Sequence, residues 1–172
     1  SIHEVNYLKN SLNSMRRGLK HFEKYIPKTL VHQLIESGQD MRIGGVKRNL
    51  VVMFSDIENF TTIAEQTNSD ELMIQLCEYF ENLTQIIIFE KGTIDKYIGD
   101  SIMAFWGAPL PEAKPNYHAA RAALRCKMKL DELNAKLAKE GKLQFITRFG
   151  IHSGEAIVGN LGSSERLNYT AL

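Results

Sequence analysis

The stretch KYIGDSIMAFWGAP, residues 96–109, constrains the fold of this 172-residue chain more than any other part of its sequence. One short apolar run lies on each side of Gly99-Asp100, and a Gly-Asp pair between such runs is typical of a two-residue β-hairpin loop. The sequence therefore predicts a buried β-hairpin. Neither an aspartate at its tip nor a lysine four residues earlier is explained by packing alone.

The segments around the hairpin alternate between strand-like and helix-like patterns. Residues 49–57, NLVVMFSDI, are a continuous β-prone apolar run, which predicts a buried strand after a loop at Gly44-Gly45. Apolar residues at helical spacing predict a short helix over 59–66, one with Ser69 as its N-cap that ends at Gly92, and a long one over 117–140. Three further strands are predicted, over 143–154, 155–162 and from 166 onward.

This order of elements predicts an α+β fold, a ferredoxin-like sandwich with helices on one face of a mainly antiparallel sheet. The chain is 44% hydrophobic, enough for a sizeable core. Its 21 basic and 20 acidic residues leave a net charge of +1, so no basic field favours nucleic acid as a partner. No apolar run approaches the ~20 residues that span a bilayer.

The N-terminal segment carries apolar residues at alternating gaps of three and four. This narrow stripe favours a parallel two-stranded coiled coil over a helix that lies on its own domain. We therefore expect a signalling helix over 1–26, a coupling segment over 27–45 with a short helix at 28–36, and one further domain over 46–172. Because Ser1 leads directly into helical sequence, we expect a longer parent protein. The stripe comprises Val5, Leu8, Leu12, Met15, Leu19, Phe22 and Ile26.

Two aspartates are the first candidates for chemistry. Asp56 ends the first apolar strand, and Asp100 lies at the hairpin turn. If the hairpin neighbours that strand, the two carboxylates meet at one edge of the sheet, and their repulsion is relieved by a hard divalent cation. The alternative assigns Asp100 to the turn and Asp56 to a helix cap. The helix start at 59–61 also offers backbone amides to a phosphate, although any helix start does so.

Three motifs together resemble the class III nucleotide cyclase catalytic domain, in its bacterial adenylate cyclase form. They are FSDIENFT, GTIDKYIGDSIMAFWGAP and RFGIHSGEAIVGNLGSSERLNYT, in the family's order and at its separations. The preceding FEKYIPKTLVHQLIESG is similar to the segment that couples upstream sensor domains to such catalytic domains.

The resemblance implies specific roles for these positions. Asp56 and Asp100 match the pair that binds two Mg²⁺ or Mn²⁺ ions, with the Ile57 carbonyl as a further ligand. Lys96 matches the lysine that reads adenine, and Thr170 the position that assists it. A Lys ammonium only donates, which suits N1 of adenine and conflicts with N1–H of guanine. The triphosphate cradle is matched by the backbone amides of Asn59, Phe60 and Thr61.

The resemblance also implies a reaction and an assembly. In such enzymes the ribose 3′-hydroxyl of ATP attacks the α-phosphate, and cyclic AMP and pyrophosphate form at sites shared between two subunits. We expect a homodimer, regulated by an upstream sensor and working on the cytoplasmic side, whether or not the parent is membrane-anchored. The family continues beyond Leu172 with an Asn, an Arg and a Lys that act in catalysis. We therefore expect negligible activity from residues 1–172 alone.

Two other functions remain open at this stage. One is a non-catalytic signalling or dimerisation module that keeps the cyclase fold, against which the intact Asp56, Asp100, Lys96 and Thr170 argue. The other is a palm-type polymerase or cyclic-dinucleotide synthase, which shares a two-metal sandwich. Such an enzyme lacks the pairing of Lys96 with Thr170 and usually carries a Gly-Gly-acidic turn where Gly99-Asp100 stands here.

Overall fold

A computed structural model describes residues 2–22, 43–163 and 165–172, with side chains of the first helix described over 5–18. The chain divides into two compact units, residues 1–41 and 42–172. No helix in the described ranges is both long enough and apolar enough to cross a membrane.

The described part of the first unit is one helix, α1, Ile2–Phe22. The predicted stripe residues Val5, Leu8, Leu12 and Met15 are all more than half exposed, at 57–67%. The predicted helix is confirmed over its described residues. The coiled coil stays a prediction, and the short helix expected at 28–36 lies outside the described residues.

The second unit is a five-stranded antiparallel sheet with three helices. The strand order is β2-β3-β1-β4-β5, so β3 lies between β1 and β2, and β1 lies between β3 and β4. This interleaving is the split β-α-β arrangement of ferredoxin-like folds, and the predicted fold class is confirmed. The elements are β1 Gly44–Ile57, α2 Phe60–Gln66, α3 Ser69–Phe89, β2 Thr93–Ile98, β3 Ser101–Trp106, α4 Pro115–Lys139, β4 Thr147–Gly162 and β5 Leu167–Ala171.

The main core lies between the helices and one face of the sheet. Alternate residues of β1 and β3 point into it because successive strand side chains face opposite sides. The helices contribute apolar residues at three- and four-residue spacing, as the sequence predicts. The fully buried members include Met53, Tyr79, Leu83, Ile87, Ile102, Ala104, Trp106, Cys126 and Phe145.

A buried carboxylate fastens the end of α3 to α4. The Glu90 side chain is 0% exposed and accepts hydrogen bonds from Arg121 Nε at 2.7 Å and Arg125 Nη1 at 2.6 Å. Its backbone carbonyl accepts from Trp106 Nε1 at 2.7 Å. Burial acts to raise the pKa of Glu90, but hydrogen bonds from Arg121, Arg125 and His118 outweigh it and hold the pKa below its ordinary value.

The predicted hairpin is confirmed. Strands β2 and β3 are joined by Gly99-Asp100 alone, and Ile98 pairs with Ser101 across the turn. Gly99 has φ +62°, a left-handed conformation that glycine adopts without steric cost. The turn residue Asp100 is therefore fixed at the end of a rigid ribbon.

Three local predictions were wrong. Residues 143–162 do not form two strands, because β4 runs unbroken and Gly154 pairs with Leu50 in mid-ribbon. Gly44-Gly45, assigned to a loop and to the coupling segment, instead opens β1 opposite Asn160 and Gly159. The N-cap of α3 is Asn68 rather than Ser69, since Asn68 Oδ1 accepts from the amides of Asp70 and Glu71.

Part of the other face of the sheet is covered by its own last strands. A second apolar cluster there contains residues of β1, β3, β4 and β5 and none from the helices. For β5 to meet β3, the long β1–β4 ribbon must bend over this face. The sheet thus curls until its two edge strands approach each other. The cluster consists of Leu50, Met103, Phe105, Ala108, Val158 and Ala171.

Candidate active site

The two aspartates predicted to bind metal are brought to the same edge of the sheet. The Ile57 amide, one residue after Asp56, donates a hydrogen bond of 2.7 Å to Asp100 Oδ2. This contact links the end of β1 to the hairpin turn, because β3 lies directly beside β1. Two carboxylates and the adjoining main chain therefore share one small region.

Arg148 is a member of this edge that the sequence reasoning missed. Its Nη2 lies 2.7 Å from Asp56 Oδ2, and the two side chains are 66% and 51% exposed. The contact follows from the register, in which Asp56 on β1 pairs with Arg148 on β4. Only a correct strand pairing could have found it. A guanidinium here places a positive charge beside Asp56, and it is well suited to contact a phosphate.

We call the region shared by Asp56 and Asp100, where β1 ends and β3 begins, the acidic edge. Ser55 connects these two strands beneath it. Its buried Oγ accepts from the Ile102 amide at 3.0 Å and from the Tyr79 hydroxyl at 3.5 Å. Burial raises the pKa of Tyr79, so this hydroxyl stays protonated and acts as a donor. These two hydrogen bonds lie on the core side of the sheet and help to hold β1 and β3, and so Asp56 and Asp100, in place.

The predicted phosphate cradle lies immediately after β1. Asn59 precedes α2 in a left-handed conformation, φ +57°, which asparagine tolerates better than most residues. The helix then begins at Phe60, and its first backbone bond runs from the Ile63 amide to the Asn59 carbonyl. The amides of Phe60 and Thr61 thus belong to the first turn, next to the acidic edge.

The two residues predicted to read the base are in direct contact. Lys96 Nζ donates to Thr170 Oγ1 at 2.9 Å, although β2 and β5 are the opposite edge strands of the sheet. Asp95, also missed by the sequence reasoning, completes the group: its Oδ2 accepts from the Thr170 hydroxyl at 2.6 Å. Its Oδ1 lies 3.3 Å from Lys96 Nζ. The curl of the sheet assembles all three.

A β-bulge explains why Asp95 and Lys96 share one face. Ile94 pairs with Ala104 and Lys96 with Met103, so Asp95 is an extra residue in β2. Without it, adjacent side chains would point to opposite faces. The alternation resumes at Tyr97, which packs against Phe80 on the helix side.

In the described residues, no three His, Cys, Asp or Glu side chains converge as a metal cluster. The predicted set differs from such a cluster because it uses two carboxylates and a main-chain carbonyl. The group predicted to read the base, Lys96 with Thr170, is separate from this set. Three residues, Tyr97, Ile98 and the turn residue Gly99, lie between Lys96 and Asp100 along the hairpin.

Comparison with known proteins assigns the arrangement to a family. The protein family described as "Adenylate and Guanylate cyclase catalytic domain" matches residues 45–170 of this chain. The chain belongs to the class III nucleotide cyclases. The catalytic-domain match covers the whole sheet except Gly44 and Ala171, and includes every predicted site residue.

The similar proteins include both adenylate cyclases and guanylyl cyclases. Adenylate cyclase 1 of Rhizobium meliloti is 38% identical over 169 residues, which are 98% of this chain and 25% of that protein. The guanylyl cyclase Cya2 is 31% identical with a TM-score of 0.72, over 76% of this chain and 66% of the solved one. A bacterial light-regulated adenylyl cyclase is 27% identical with a TM-score of 0.82, over 98% and 49%. The chain thus spans a quarter of the length of its Rhizobium relative.

Proposed function

We propose that this chain is the catalytic domain of an adenylate cyclase that converts ATP to 3′,5′-cyclic AMP and pyrophosphate. The observation that carries the proposal is the contact between Lys96 and Thr170, 2.9 Å apart. Because family membership admits both ATP and GTP, the substrate must be argued from the residues that meet the base.

Base selection follows from hydrogen-bond polarity. The ammonium of Lys96 has three protons and no lone pair, so it can only donate. Adenine offers an acceptor at N1 beside a donor at its exocyclic amine, which suits a lysine next to a hydroxyl that accepts. Guanine has a donor, N1–H, at the position where adenine has an acceptor. This N–H would face the Lys96 ammonium, which is also a donor, so no hydrogen bond could form. This difference supports ATP as the substrate.

The residues at the acidic edge fit divalent cations. Asp56, Asp100 and the Ile57 carbonyl would hold two Mg²⁺ or Mn²⁺ ions, since carboxylate and carbonyl oxygens are the ligands that these hard ions prefer. When bound, such ions would activate the ribose hydroxyl and neutralise charge on the triphosphate. The guanidinium of Arg148 lies 2.7 Å from Asp56 Oδ2 and would share this carboxylate with a bound ion.

The remaining residues of the edge bind and orient the substrate. The amides of Asn59, Phe60 and Thr61 would cradle the triphosphate, and the exposed guanidinium of Arg148 can contact it. The base, held by Lys96 and Thr170, would fix the ribose so that its 3′-hydroxyl faces the α-phosphate. Attack forms the O3′–phosphorus bond as the bond to the pyrophosphate leaving group breaks.

We further propose that the active protein is a homodimer on the cytoplasmic side, controlled by an upstream sensor. Two sites shared across a two-fold axis would each take the acidic edge from one subunit and the base-reading pair from the other. The exposed stripe of α1 supports a parallel coiled coil that transmits the signal. A light-regulated adenylyl cyclase among the solved relatives is a precedent for such control.

The test is an assay of the full-length protein that carries this chain, with ATP and with GTP in the presence of Mn²⁺. We expect cyclic AMP as the main product, loss of at least a hundredfold in rate for Asp56→Ala, and normal activity for the exposed control Asp131→Asn. Residues 1–172 alone should give negligible product. Preferential formation of cyclic GMP would overturn the substrate assignment. A folded, silent full-length protein would instead favour a non-catalytic module.

A further inference from the structure

A buried carboxylate stands behind the predicted base-reading pair. The side chain of Asp95 is only 1% exposed, and Thr170 is 3% exposed, whereas the side chain of Lys96 is 41% exposed. Burying a carboxylate is costly unless it is paired and hydrogen-bonded. Asp95 therefore requires partners, and its two side-chain partners are Lys96 and Thr170, the residues predicted to face the base.

The geometry fixes the direction of the hydrogen bond between Asp95 and Thr170. An ionised carboxylate has no proton, so the Thr170 hydroxyl must be the donor across the 2.6 Å contact to Asp95 Oδ2. This length is typical of a charge-assisted O–H···O⁻ bond. The other acceptor near the hydroxyl, the Ala171 carbonyl, lies 3.4 Å away and is the weaker choice.

Once its proton is committed to Asp95, the Thr170 oxygen can only accept. One lone pair receives the 2.9 Å hydrogen bond from Lys96 Nζ. A second remains for a ligand, since a hydroxyl oxygen has two. A threonine without such a neighbour could rotate its hydroxyl and donate to a carbonyl oxygen, which guanine presents where adenine presents an amine.

We propose that Asp95 is a positioning residue for base selection, which acts through Thr170 by holding its hydroxyl as an acceptor and so favours ATP over GTP. Asp95 does not touch the nucleotide. It sets the hydrogen-bond polarity of the residue that does, and its Oδ1 lies 3.3 Å from the Lys96 ammonium. The inference rests on the proposed adenylate cyclase function and adds to it the source of its selectivity.

The bulge in β2 is what makes this possible. It turns Asp95 to the same face as Lys96, where the amide of Ala171 on β5 also donates to Asp95 Oδ2 at 3.3 Å. The carboxylate thus receives hydrogen bonds from two consecutive residues of β5. It holds that edge strand, and with it Thr170, against β2.

The experiment is a double-mutant cycle in the full-length protein, read as the ratio of kcat/KM for ATP to that for GTP. Asp95→Asn and Asp95→Ser are each combined with Thr170 and with Thr170→Val, and Asp131→Asn serves as a surface control. Asn can donate to the Thr170 oxygen, and Ser is one bond too short to reach it as Asp95 Oδ2 does. Either change leaves the Thr170 hydroxyl free to turn. With Thr170 present, we expect either variant to lower the ratio about tenfold. In the Thr170→Val background, neither should change it further.

Several outcomes would overturn the inference. An unchanged ratio in a folded, active Asp95 variant refutes it while leaving the adenylate cyclase function intact. An equal fall in both backgrounds refutes the route through Thr170. A wild-type protein that neither cyclises nor binds ATP refutes the proposed function and the inference together. Melting curves of each variant, and agreement between Asn and Ser, separate a change in selectivity from a loss of fold.

Discussion

At the residue scale, Asp100 combines a structural contact with a proposed chemical role, and the two can be separated. Its carboxylate accepts from the Ile57 amide at 2.7 Å, and it is also proposed to hold metal. An asparagine retains a carbonyl oxygen for the amide but is a much weaker ligand for Mg²⁺.

We therefore predict that Asp100→Asn abolishes cyclic AMP formation with little change in stability. Asp100→Ala should abolish activity as well, and lower the free energy of unfolding by about 1 kcal/mol because the Ile57 amide loses its acceptor. Urea denaturation and a product assay on the same preparations measure the two effects. Activity in Asp100→Asn would contradict the metal role.

Glu90 gives the fold a predictable pH dependence. Its folded-state pKa is held below the ordinary value, with hydrogen bonds from Arg121, Arg125 and His118 outweighing burial. Its contribution to stability is thus complete above the pKa of the unfolded chain, and is lost as pH falls through the folded-state pKa.

We predict that Glu90→Gln lowers the free energy of unfolding by about 2 kcal/mol near neutral pH. The difference from the wild-type protein should shrink once the pH falls below the ordinary glutamate pKa. Denaturation curves at several pH values measure this difference. Glu132→Gln is a suitable control, since that side chain is 71% exposed and its ion pair is on the surface. A difference that persists unchanged into acid would contradict the assignment.

At the scale of elements, the β1–β4 ribbon depends on close backbone contact at one glycine. A Cβ built on Gly159 would lie 2.2 Å from the Gly44 carbonyl oxygen and 2.5 Å from Gly45 Cα. Gly159 also pairs with Thr170 on β5. A side chain here would force β1 and β4 apart beside β5, the strand that carries Thr170.

We predict that Gly159→Ala destabilises the protein by about 2 kcal/mol or more and weakens selection of ATP over GTP. The matched control is Gly150→Ala on the same strand, where a Cβ would meet nothing within 4 Å. Thermal melts and the ATP/GTP ratio test both positions. Equal stability of the two variants would contradict the prediction, because it would mean that β1 and β4 can separate at Gly159 without loss of folding free energy.

The elements also show how far the sequence could be interpreted. The hairpin and the helices were predictable because apolar spacing and Gly99-Asp100 are local signals. The unbroken β4 was not, since Ser153-Gly154 resembles a turn and only pairing with β1 keeps it extended. The bulge at Asp95 leaves no composition signal, and Arg148 becomes visible only through register. Long-range pairing decided these cases.

At the scale of the whole molecule, the proposed dimer predicts complementation between inactive variants. If each site takes Asp56 from one subunit and Lys96 from the other, a mixed dimer of Asp56→Ala and Lys96→Ala contains one intact site. Random mixing yields half mixed dimers, so activity should return to about a quarter of the wild-type level.

Co-expression or subunit exchange followed by a cyclic AMP assay measures this recovery. The control combines Asp56→Ala with Asp100→Ala, both at the acidic edge, which can restore no site. Failure of the first pair to recover activity, in samples where sedimentation shows mixed dimers, would mean that one subunit supplies both parts of each site.

The curl that brings β5 to β2 has a consequence for the order in which the protein folds. The contact between Lys96 and Thr170 joins residues 74 positions apart, whereas the hairpin needs only its own neighbours. Closing long loops costs chain entropy that only later contacts repay, so pairings of this kind form late. The sheet and its helical core can therefore consolidate before the last strand docks. A nascent chain would acquire its architecture first, and would complete the site proposed to distinguish one purine from another only at the end.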